Sequence, residues 1–411
     1  MTSWQTSWDA YVAFKAQSGL GVPASGSGAS ILPLTGGAGK LTKNVVSSQQ
    51  VRQDGMSVRG RHGTQKTAGQ YPGELQLSNY DSIIEAVMRG TWASNTAITQ
   101  ATSALSSATI SVSGSVVTFS GGNVITAGVR FGQVHRWTSG LAAGDLNKPL
   151  RVVGATNTTI TYAETLTTVA GPVSSYSFHG NGRRLINPAA GSLVKRYFTV
   201  EERENTIDES ELFTDCMWGK IDIAMQPDGM FTITPYWTGT GAAQVEDTTS
   251  SPYFTTPALT STTAIPMAAI DATLRIGSAD EVAITAFNLS IDIGLNAPAV
   301  AASKISPDIF DGIMKVSGSV TCFRKDLTYF SSFLNESTLS LSVLAQVPGS
   351  SPADYLSLCV PYMTLSDAMK SDLKREGGAR MQTLNFTDAV IGVDQRGGVY
   401  DPSMVIWEVS N

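Results

Sequence analysis

The sequence predicts a mainly β protein with a few short helices: two tandem β-sandwich or barrel modules, each with one short amphipathic helix, and a small β domain inserted into the first. Three observations lead there. Apolar and polar residues alternate with period two, the mark of a half-buried strand, as where Phe287, Leu289, Ile291 and Ile293 interleave with Asn288, Ser290 and Asp292. Turn dipeptides such as Asp54-Gly55 and Asp228-Gly229 separate such runs. One succession also occurs twice. Met56-Ser57-Val58-Arg59-Gly60 precedes a helix from about Asn79 to Trp92, and Met314-Lys315-Val316-Ser317-Gly318 precedes one from about Asp326 to Asn335.

The organisation expected is an N-terminal helix and flexible arm over 1–40, a first module over 41–92 and 187–240, the insert over 93–186, a linker over 241–262, and a second module over 263–411. Trp4, Trp8, Tyr11 and Val12 have helical spacing behind a Ser3 cap, and the Gly/Ser-rich stretch Pro23 to Ser30 reads as the arm. Asp54-Gly55 predicts a hairpin between Leu41–Gln53 and Met56–Gly63. Ser78 or Asn79 caps the first helix, whose Ile83, Ile84, Val87 and Met88 form one apolar face closed off by Gly90. Short strands between Gly-rich turns then mark the insert. The first module resumes near Lys195 and gives its clearest hairpin over Lys220 to Trp237, around Gln226-Pro227-Asp228-Gly229. In the second module, strands over Ile284–Ile293, Ile313–Phe323 and Leu339–Leu344 flank a helix with Leu327, Phe330, Phe333 and Leu334 on one face.

Composition narrows the function. Charged residues are 15% of the 411, against about 25% in a typical soluble domain, so such a chain meets its solubility partly through assembly. Twenty-eight basic against 34 acidic residues leave a net charge of -6, which excludes a broad basic surface for gripping duplex DNA. The widely spaced Cys216, Cys322 and Cys359 support neither a disulfide framework nor a zinc site, and buried thiols are expected. No apolar run is long enough to span a membrane, and the first residues lack a signal-peptide pattern, so synthesis and folding in the cytoplasm are expected.

Chemistry-bearing motifs are weak. Gly36-Gly37-Ala38-Gly39-Lys40 has Leu41 where a phosphate loop needs Ser or Thr, and Gly239-Thr240-Gly241 leads into a Pro-containing linker rather than a helix. Both read as turns. His62, His135 and His179 form no ligand motif and read as surface or loop residues, and the charge run Glu201 to Glu211 reads as a solvated loop or contact surface. No catalytic residue, metal or cofactor is expected. A glycan hydrolase would need two carboxylates across a cleft, and nothing points to a pair. The main alternative to an assembling structural protein is a carbohydrate-binding or adhesive β-sandwich.

Several stretches resemble tail tube proteins of long, flexible-tailed phages. They are Leu34-Thr35-Gly36-Gly37, Tyr71-Pro72-Gly73-Glu74-Leu75, Asn79 to Ala86 with Gly90-Thr91-Trp92, Tyr197 to Glu201, Phe213 to Trp218, Asn288 to Leu295, Ile309-Phe310-Asp311-Gly312 and Phe333-Leu334-Asn335-Glu336. The resemblance implies a structural virion protein whose rings stack into a tube for DNA ejection. It implies partners in itself, the tape-measure and tail-end proteins, and transient passage of DNA without tight binding. Alternation then makes Asn288, Ser290, Asp292, Ser317, Ser319 and Thr321 the candidates for the lumen face, with Leu289, Ile291, Val316 and Val320 toward the helices. If each module fills one place, the ring is a trimer with pseudo-sixfold symmetry; a true hexamer is the competing arrangement. The insert is expected to project outward.

Overall fold

A computed structural model of the chain describes residues 4–246, 252–281, 283–373, 378–387 and 398–410. Within them the protein is built of antiparallel sheets and two α-helices. The period-two pattern is the cause: successive side chains on a strand point to opposite sides, so each sheet acquires one face to bury.

The first half contributes β1 (Ala10–Ala16), β2 (Ser30–Ile31), β3 (Ala38–Val46), β4 (Arg61–Gln70), α1 (Asp81–Met88), β5 (Phe198–Glu204), β6 (Glu209–Met225), β7 (Thr232–Gly239) and β8 (Ala243–Glu246). The beginning of β6 lies in the succession β2-β1-β5-β6-β8, and its end in β6-β7-β4-β3. The second half contributes β9 (Ala272–Ile276), β10 (Ala279–Glu281), β11 (Ile284–Asp292), β12 (Lys315–Phe323), α2 (Thr328–Leu334), β13 (Leu339–Gln346), β14 (Tyr355–Met363), β15 (Leu365–Lys370), β16 (Met381–Phe386) and β17 (Ile406–Val409). Its successions are β10-β9-β13-β14-β17 and β15-β16-β12-β11. Element order and pairing order are therefore the same twice over, with β14 and β15 together standing where β6 is one strand.

Detail repeats as well. The ladder to the next strand shifts register between Trp218 and Lys220 on β6, and between Leu365 and Asp367 on β15. Gly69 lies opposite Trp237, and Gly318 opposite Phe386. In both places only glycine leaves room for the ring: a Cβ on Gly69 would sit 2.5 Å from the Trp237 indole, and one on Gly318 2.6 Å from Phe386.

The halves are joined by β6 pairing with β11, from Lys220 opposite Asp292 to Met225 opposite Phe287. This makes one continuous path, β3-β4-β7-β6-β11-β12-β16-β15. Its buried face, with Ile221, Ile223, Leu289, Ile291, Val316 and Val320, shares a single core with α1 and with Val343, Leu358 and Trp407 of the second sheet. The strands between Ile98 and Phe178 form a separate sheet with its own core, centred on Trp137 stacked on Phe178 at 4.3 Å. That unit rests on the second sheet through Arg151–Asp280 (2.8 Å) and a cluster of Val134, Leu344 and Tyr355.

Several expectations are corrected. The aromatic N-terminal segment is a turn followed by the strand β1, because Val12, Ala13 and Phe14 pack as a strand on β5, while Trp4 and Trp8 are exposed; Ser3 lies outside the described residues. The Gly/Ser stretch does not hang free: Lys15 Nζ donates to the carbonyls of Ser25 and Ser27, and Gly26 bridges to Phe254. Met56–Gly60 is not a strand. The hairpin pairs β3 with β4 instead, and the Asp54-Gly55 turn lies inside their connection, so the two Met-to-Gly stretches are not equivalent. Neither Ser78 nor Asn79 caps α1; the Asn79 side chain bonds Gln76 and Ser261, and Arg89 in the left-handed conformation, not Gly90, ends the helix. Ile83, Ile84, Val87 and Met88 are buried as expected. The α2 face is not: Leu327, Phe330 and Leu334 are exposed, Phe333 is half-buried, and Tyr329 is the residue turned inward. Part of the polar linker forms β8, and 247–251 lie outside the described residues.

Candidate assembly surface

The polar face of the eight-strand path is built in rows of residues lying directly opposite one another. One row is Tyr236, Lys220, Asp292 and Lys315; the next is Thr234, Asp222, Ser290 and Ser317; a third contains Ala224, Asn288, Ser319 and Asn385, and a fourth Thr321 and Thr383. All six sequence candidates stand on this face, and the alternating Leu289, Ile291, Val316 and Val320 are buried behind it. Those apolar residues face the shared core and the second sheet rather than helices alone. Thr383 and Asn385 were missed because β16 was not recognised, although Leu384 and Phe386 alternate with them.

The face is charged, and one of its cations is held within it. Lys220 Nζ donates to Asp222 (2.9 Å) and lies 4.8 Å over the Tyr236 ring, and Ser290 Oγ donates to Asp222 (2.6 Å). Burial is the largest influence on Lys220 and works against its charge, but the hydrogen bond and charge of Asp222, with Tyr236 and Asp292, together outweigh it and hold its pKa above the usual lysine value. Thr321 bonds Thr383 across strands at 3.1 Å. Lys220 and Lys315 belong to this face, whereas Arg59 lies in the β3–β4 connection and Arg61 begins β4.

Two strand edges close the path, β3 and β15, and among the described residues no further strand pairs with their outer sides. Both expose apolar side chains: Leu41, Val45 and Val46 on β3, Met369 on β15. An open edge with apolar flanks is a template for another strand. Of the Gly36–Lys40 run, Gly36 lies in a bend, while Ala38, Gly39 and Lys40 already belong to β3; the Gly39 N–H is taken by the Glu202 carboxylate, which also accepts from Tyr71 Oη (2.5 Å).

Two further polar groups depart from the sequence reading. Glu201, inside the charge run, is fully buried and accepts from Ser210 Oγ (2.7 Å) and the N–H groups of Tyr253 (2.7 Å) and Phe254 (3.0 Å), pinning the segment after 251 to β5. His135 and His179 are buried with rings 4.8 Å apart, where the insert meets β17, while His62 is exposed. There Glu408 accepts from the Val134 N–H (2.9 Å) and Asn95 (3.0 Å), with His179 Nδ1 at 3.8 Å. Burial pushes the Glu408 carboxyl up to about 7 and holds His179 down at about 4. The three cysteines are free and buried. No helix among the described residues is long and apolar enough to cross a membrane.

A strand-rich chain with aligned polar rows and two open edges has the make-up of a structural, self-associating protein. A family model described as phage tail tube protein matches residues 7–387, and the chain belongs to that family: it is a structural component of the phage tail. Among curated proteins nothing matches it.

Proposed function

We propose that this chain closes into rings that stack as the tail tube, and that the polar face of the eight-strand path lines the channel through which DNA is ejected. The observation that supports this best is the doubled pairing order: two like units already lie side by side through the β6–β11 joint, and each end of the path offers an open edge. A head-to-tail contact that closes on itself gives a ring. With two places per chain, three chains make a pseudo-sixfold ring. The hydroxyl and amide rows suit passage, and the pairing of Lys220 with Asp222 removes one salt-dependent hold on phosphate.

The insert rests on the second sheet, on the far side of the core from the polar face, which favours an outward position. The tape-measure and tail-end proteins are the partners this role requires, with assembly in the host cytoplasm. The test is negative-stain imaging of the concentrated chain and mass measurement of isolated rings. Rings of three chains are expected; rings of six whole chains would overturn the trimer, and absence of rings or tubes would overturn the assembly itself.

A further inference from the structure

The joint inside one chain is a template for the joint between chains. This inference rests on the ring reading above and adds its register. On the β6 side, the repeated register shift aligns Lys220, Ile221 and Asp222 with Asp367, Ala368 and Met369. On the β11 side, the repeated glycine–aromatic pairs align Gly69 with Gly318; their partners on the next strand then align Gly39 with Leu289, and so Lys40, Leu41 and Thr42 with Ser290, Ile291 and Asp292. Within the chain, Lys220 lies opposite Asp292, Ile221 opposite Ile291, and Asp222 opposite Ser290.

The helices carry the same correspondence. Arg89 and Glu336 both take the left-handed conformation just past their helices, at φ 54° and 51°. That match aligns Tyr80, Ile83 and Val87, all fully buried, with Leu327, Phe330 and Leu334, which are 60%, 41% and 63% exposed. Arg89 is held by Asp311 (2.6 Å) and the Gly312 carbonyl (3.3 Å), in the connection between β11 and β12. The equivalent connection, 47–60 between β3 and β4, carries Arg59 and an Arg52 already paired with Asp54.

We infer that β15 of one copy pairs antiparallel with β3 of a second copy, with Asp367 opposite Thr42, Ala368 opposite Leu41 and Met369 opposite Lys40. The Glu336 end of α2 then meets the 47–60 connection, where Arg59 would repeat the Arg89–Asp311 contact with its charges exchanged. The pairing covers Leu41 and sets a neighbour beside the exposed face of α2. Glu202, which now holds the Gly39 N–H, marks one end of the seam.

The test is oxidation of assembled material from the double variant Asp367→Cys/Thr42→Cys, run beside the out-of-register Asp367→Cys/Lys40→Cys. Covalent multimers from the first and monomers from the second are expected on a non-reducing gel. Rings without a cross-link in the first, or with equal cross-linking in both, overturn the register and leave the ring reading standing; wild-type chain that forms no rings overturns both. Should the variants fail to assemble, amide exchange on wild-type rings reads the same seam. Residues 38–43 and 366–371 should exchange on the order of tenfold more slowly than in the free chain, and unchanged exchange there overturns the register.

Discussion

Replacing Glu408 by Gln isolates the electrostatics of the joint between the insert and the second sheet. In the native chain the carboxyl is fully buried beside Arg184, His179 and Tyr355, with Asp401 paired to Arg184, and it accepts from Val134 and Asn95. Burial raises its pKa from 4.5 to about 7. The native state therefore holds a proton that the unfolded chain has lost. Stability from this group is complete below about 4.5 and disappears as pH rises through about 7, for a total of about 3 kcal/mol at about 1.4 kcal/mol per pH unit. His179 works in the opposite direction: held near 4 against an ordinary 6.5, it adds stability as pH rises between those values. The two slopes oppose one another in the wild type. Gln imitates the protonated acid and offers an N–H toward His179 Nδ1, which has no hydrogen-bond partner. Urea denaturation of the free chain, followed by tryptophan fluorescence, should show the variant gaining about 3 kcal/mol on the wild type between pH 4 and pH 8. A constant difference across that range, or one that shrinks, would refute the reasoning.

Other outcomes follow from packing. Gly318→Ala must push the Phe386 ring or the Asn288 carbonyl aside and should cost about 1–3 kcal/mol in a denaturant melt, a neutral result being inconsistent with the close contact. Ile83→Ala should cost about 2–5 kcal/mol in the free chain, and Leu334→Ala less than about 0.5 kcal/mol, since one is buried and the other exposed. Ile98 pairs with Phe178, so the insert can be replaced by a short turn. The shortened chain should still give tubes by negative stain, and their loss would contradict the outward placement of the insert.

Much of the fold was legible where one face is buried and the other wet. The Gln226–Gly229 hairpin and the α1 face were readable because local pattern and tertiary burial agree. The doubling was readable as a theme but not in its equivalences: Met56–Gly60 copies the lettering of Met314–Gly318, yet the true partner of Gly318 is Gly69. A pattern of five residues cannot tell a strand from a polar connection. The spacing of Trp4, Trp8 and Tyr11 misled because helical periodicity over so few residues is outweighed by pairing with β5, a partner nearly two hundred positions away. The α2 face was read as core from its composition alone; burial depends on what lies across from it, and among the described residues nothing covers it fully. The polar face was visible strand by strand through alternation, while Thr383 and Asn385 needed the long-range pairing of β16 to join it.

The 17-residue strand β6 belongs to both layers of the first half, its beginning to one sheet and its end to the other. At about 3.3 Å per residue it is a beam of roughly 55 Å. Sliding one layer over the other would mean stretching a covalent backbone or tearing its ladders from β5, β7 and β11, so the layers share any load. A push on one sheet reaches the polar face of the other along one unbroken strand. Its counterpart in the second half is interrupted between β14 and β15. The two halves of each chain should therefore yield differently under the same force, the first as a stiff rib and the second as the more compliant one.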